Sequence, residues 1–160
     1  MFKSTIAALA ASLALASAPA AQAAGCWSTP VLQAAKLRQL DVMLMVSSLR
    51  CRVGADDFRA DYEHFLDRHR LELSKANHIV LDGFAAQWGA AKAGAEMDSM
   101  GVAMANKYGQ GNGIGCHELK MVAADLAQTR EETALFEAAD TLVGEAILAD
   151  SCRSTYALRR

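Results

Sequence analysis

Four cysteines, seven methionines and four histidines are the side chains of this 160-residue chain best suited to metal, redox or acid–base work. A thiol pair that binds a metal or shuttles electrons needs close spacing, typically C-x-x-C, so that both sulfurs reach one centre. Cys26, Cys51, Cys116 and Cys152 never come closer than 25 positions. They read instead as two structural disulfides of an oxidising compartment. Three pairings are open. The favoured one joins Cys51 to Cys116, a helix end to a helix start, and Cys26 to Cys152, the two ends of the chain.

Met97, Met100 and Met104 stand at i, i+3 and i+7, so three thioethers share one helical face, and soft sulfur is what Cu(I) selects. The same segment offers only Val102 and Tyr108 as other sizeable apolar side chains. Core packing therefore competes with copper for these methionines. His117-Glu118 opens like the zinc motif H-E-x-x-H, but Met121 occupies the second histidine position and the motif fails. His64 and His69 are five apart and point to different faces of a helix. His69 falls on an apolar stripe between Phe65 and Leu73, where a hydrogen-bonded, semi-buried imidazole is expected. His78 shares a polar face with Lys75 and Asp82. Gly109 to Gly115 is rich in glycine but is neither G-x-G-x-x-G nor a phosphate loop, and reads as an inter-helix connection.

The elements that must position these groups are helical throughout. Only Pro19 and Pro30 interrupt the chain, and alanine and leucine far outnumber β-branched residues. Thr29 and Pro30 open a first helix that should run to about Val53 and stop at Gly54. Leu37, Leu40, Leu44 and Cys51 mark one of its faces, and Ala35, Val42, Val46, Leu49 and Val53 another, which predicts a central helix buried on more than one side. Asp56 or Asp57 should cap a second helix reaching about Ala90, bent near Asp82-Gly83 because it would otherwise span about 50 Å. A third covers about Ala95 to Tyr108 and a fourth runs from Cys116 to about Gln128. Thr129 with Glu132 forms a capping box for a fifth that ends near Asp150. The expected fold class is all-α, an up-and-down bundle of about five helices stapled by two disulfides.

Residues 1–23 have the three parts of an export signal: Lys3, the apolar run Ile6 to Ala18, and Ala21-Gln22-Ala23 before the cut. Residues 24–160 then form a single helical domain. Without Lys3 the balance is 15 cationic to 18 acidic residues, which argues against a nucleic-acid-binding body. No window after the leader has the roughly 18 consecutive apolar residues of a transmembrane span. Ala23-Ala24-Gly25-Cys26 imitates a lipoprotein site, so a lipid tether at Cys26 is the rival processing. It would leave one of the other three cysteines unpaired.

Cys26-Trp27, Met43 to Val46 with Leu49-Arg50-Cys51-Arg52, Asp61-Tyr62 to Phe65, Arg70, Ala105-Asn106-Lys107-Tyr108-Gly109 and Cys116 together resemble a group of small exported alphaproteobacterial proteins of uncharacterised activity. The resemblance covers roughly Cys26 to Ala123. It implies export and a helical fold, and no catalytic residue.

The ionisable residues assign naturally to caps, ion pairs and solvent faces, which favours a periplasmic or secreted non-enzymatic binding, chaperone-like or inhibitor module. Its partner would be an unknown envelope protein or a small ligand, and no cofactor is implied. The second reading is a small envelope hydrolase or lyase whose candidates are His69 with Tyr62 or Glu72. The third is a Cu(I) carrier built on the three methionines.

Overall fold

The computed structural model describes residues 27–111 and 113–149. The leader, the lipoprotein-like site, and Cys26 and Cys152 with their expected bridge lie outside the described residues. Every regular element among those described is helical: α1 (Thr29–Arg50), α2 (Arg59–Arg68), α3 (Arg70–Trp88), α4 (Ala90–Gly109), α5 (Cys116–Gln128) and α6 (Glu132–Val143), with further helical residues at 147–149. None is long and apolar enough to cross a membrane.

α1 is the central helix, packed against α3, α4 and α6 and, toward its end, against α2 and α5. Ser28 precedes it in extended conformation, and Pro30 sits in its first turn, where a missing N–H costs nothing. Leu37, Leu40, Met43 and Leu44 are fully buried, as the apolar segment requires. The helix stops at Arg50, three residues before the expected Val53. Cys51 caps it and is bonded to Cys116 at the start of α5, with Cα atoms 5.7 Å apart. This is the favoured pairing for these two cysteines.

The expected second helix is two helices. It breaks at His69, not near Gly83, and the reason is tertiary. The His69 ring turns inward and its Nε2–H donates to the Leu126 carbonyl of α5 at 2.8 Å, fixing the chain where α2 hands over to α3. Gly83 stays helical because its missing side chain admits α1. A Cβ there would lie 3.1 Å from both Val31 methyls and 3.4 Å from Trp27. Trp27 itself packs edge-on to Phe84 at 5.2 Å and against Trp88 at 5.4 Å. α4 begins at Ala90, five residues early, directly after Gly89, whose φ of +87° turns the chain at no steric cost. α6 starts after Glu131, whose N–H reaches Thr129 Oγ1 at 3.4 Å, and ends at Val143, short of Asp150. α2 packs chiefly on α5, so these two form a pair laid against the end of α1.

Candidate functional site: a polar cluster and an open strip on α1

Arg38, Asp41, Met45 and Leu49 recur at steps of three and four and therefore lie on one face of α1. Its first half is polar and half-buried. The Tyr62 hydroxyl, from α2, donates to Asp41 Oδ1 at 2.9 Å, and Arg38 Nη1 donates to Asn77 Oδ1 of α3 at 2.6 Å. Gly101 of α4 comes close enough that a Cβ would meet Arg38 Nη2 at 3.5 Å. Four helices thus converge on one cluster. Burial pushes the Asp41 carboxyl above its ordinary range, opposed by the Tyr62 hydrogen bond and by the charge of Arg38. The Tyr62 hydroxyl is pushed up as well, by burial first and then by the Asp41 charge and hydrogen bond. Arg38 Nε is buried and has no partner among the described residues, so its Nη1 bond to Asn77 carries the contact.

The second half of that face is apolar and open. Met45 is 38% exposed and Leu49 53%, and Val53 just beyond the helix is 87% exposed. The sequence pattern places Leu49 and Val53 on a face to be buried. Neither is, because the break after Arg50 and the docking of the α2–α5 pair leave this edge of α1 uncovered.

A second buried node holds the other side of α1. Gln39 is fully buried, and its Nε2 donates to the Tyr108 hydroxyl at 2.7 Å while its Oε1 accepts the Ile147 N–H at 2.9 Å. One amide thereby ties α1 to the end of α4 and to the segment after α6. Burial raises the Tyr108 hydroxyl, and the Gln39 bond partly opposes it.

The side chains singled out from the sequence fall in separate places. Tyr62 pairs with Asp41, and His69 with the Leu126 carbonyl. Between them stands the buried Phe65 ring, 6.1 Å from Tyr62 and 5.3 Å from His69. Glu72 lines a different feature, a 240 Å³ cleft shared with Gln33, Lys75, Ile79, Glu132 and Phe136. Met100 and Met104 are buried, and Met97 packs against the same core. Among the described residues no three His, Cys, Asp or Glu side chains are grouped so as to hold a metal ion. A cleft of about 550 Å³ runs between α2 and α5 and is lined by Asp61, His64, Asp67, Arg68 and Gln128 with two alanines. Arg68 Nε is already committed to the Ala127 carbonyl at 3.0 Å.

Asp41, Arg38, Gln39 and Asn77 escape a reading of the sequence because each lies amid helical residues of ordinary spacing. The only available signal was polar residues on a helix otherwise apolar nearly all round. No protein-family model, curated protein or solved structure matches the chain.

Proposed function

We propose that this chain is an exported, non-enzymatic binding module whose working surface is the open strip Met45, Leu49 and Val53. One observation carries the reading. The central helix, in contact with the five others, exposes large apolar side chains along just this edge. Apolar side chains exposed singly need no explanation, whereas several along one edge mark a surface for contact. Buried His69 and Gln39 and half-buried Tyr62 offer support, since they spend their hydrogen bonds on joining elements: His69 to α5, Tyr62 to Asp41, Gln39 to Tyr108 and Ile147. Rigid positioning of a surface is what such ties accomplish. Export, with the leader 1–23 removed, is supported by the Cys51–Cys116 bridge, which belongs to an oxidising compartment. In the same reading Cys26 and Cys152 form the second bridge. Thr29 and Ala149 line one 330 Å³ cleft, three residues from each cysteine, and three residues reach about 10 Å.

The test is a photo-crosslinking amino acid placed at Leu49 of the full chain in its native envelope, with Leu71 and Val102 as exposed apolar controls. A discrete adduct at position 49, absent from both controls, is expected. Equal labelling at all three positions, or none, would sink the binding surface.

A further inference from the structure

The open strip ends in a cluster of cations. Arg50 and Arg52 flank Leu49 and Val53, both are exposed, and neither makes an ion pair among the described residues. Arg50 leans over the glycine connection so closely that a Cβ on Gly111 would come within 2.6 Å of its Nη1. Lys107, in the last turn of α4 just before that connection, has only the Tyr108 ring beneath it, 5.5 Å away. Three acids of the same end have partners of their own. Asp56 meets His117 at 3.1 Å, Asp57 meets Arg59 at 2.7 Å and is held at about 2 by it, and Glu118 accepts the Gly115 N–H at 3.3 Å. Arg50, Arg52 and Lys107, three exposed cations with no ion pair among the described residues, thus gather near the end of the open strip on a chain whose net charge is −2.

Shape selects among anionic partners. Arg52, Val53, Gly54 and Ala55 are all exposed, so this turn lies open to its surroundings. An exposed apolar turn flanked by two guanidinium groups suits a plane into which it can dip, with the arginines left at the level of the charges. An acidic helix would need a groove to lie in. We propose that Met45, Leu49 and Val53, with Arg50, Arg52 and Lys107, dock on the surface of a bilayer containing anionic phospholipid. The inference rests on the binding-module reading and names the partner for the same strip.

The experiment is flotation of the full-length exported protein, disulfides intact, with vesicles of phosphatidylglycerol and phosphatidylcholine or of phosphatidylcholine alone. Binding to the anionic vesicles only, declining with salt, is expected. Arg50→Gln with Arg52→Gln should weaken partitioning about 25-fold, about fivefold for each charge. Val53→Glu, at an exposed position that no fold contact constrains, should abolish it, and Leu71→Glu, 79% exposed on α3, should leave it unchanged. Failure to float with anionic vesicles would overturn the lipid assignment, as would equal losses in the Leu71 and Val53 variants. A protein adduct at Leu49 without vesicle binding would overturn it too while leaving the binding surface standing. Binding instead to an acidic amphipathic peptide of Glu and Leu would reassign the strip to a protein partner.

Discussion

Asp41 shows how one buried carboxyl sets a pH dependence. Its folded pKa is raised by burial above the unfolded value, so its stabilising contribution is full below the unfolded value of 3.8 and is lost as pH rises through the folded one. At neutral pH the charged form is a net cost. Asp41→Asn keeps an acceptor for the Tyr62 hydroxyl and removes that cost. It should raise the melting temperature at pH 7 by about 4 °C, the gain shrinking toward zero below pH 4, as followed by calorimetry across the range. His69 contributes through its hydrogen bond. Replacing it by leucine strands the Leu126 carbonyl in the core and should cost about 2 kcal/mol in urea unfolding. The sequence makes the apolar neighbourhood of His69 visible and predicts a hydrogen-bonded ring. It cannot reveal the acceptor, which lies 57 residues on. Tyr62 likewise stands out as a candidate, while its partner Asp41 looks like any polar residue of the first helix.

Helix identity was legible wherever periodicity and local punctuation agree. α5 has the expected limits, Cys116 to Gln128, because a glycine connection precedes it and Thr129 follows. α1, α4 and α6 were recognisable with shifted ends. The long second helix misled because the breaking signal was sought in a glycine. A glycine inside a helix can equally be a place for a neighbour to approach, and at Gly83 the close neighbour is Val31. The true break is driven by a side chain reaching another helix, which no local pattern encodes. The α2–α5 pair is held to α1 by the Cys51–Cys116 bridge, closing a loop of 65 residues. By chain entropy that closure contributes about 4 kcal/mol. Replacing both cysteines by serine should lower the unfolding free energy by roughly this amount, and amide exchange should quicken most in α2 and α5. Uniform quickening across α3 and α4 would show that the pair is not a separable unit.

For the whole molecule, one mass measurement reports on processing and cross-linking together. The exported protein should lack residues 1–23, carry no acyl group, and gain four hydrogens on reduction, one for each cysteine. An acylated Cys26 or a gain of two would remove the second bridge. Overall charge and the helical class were open to inspection from composition, since both are sums over many residues. The open strip was not, because exposure is decided by which neighbours fail to arrive.

α1 is about 33 Å long at 1.5 Å per residue, and it separates two unlike ends. Thr29 and Ala149 share one cleft at its beginning, whereas Arg50 and the bridged cysteines sit at its finish. Anchoring the protein to a bead or sensor chip through a group attached at Gln33, an exposed residue of that cleft, should hence hold Val53 outward into solution, free to engage whatever it meets.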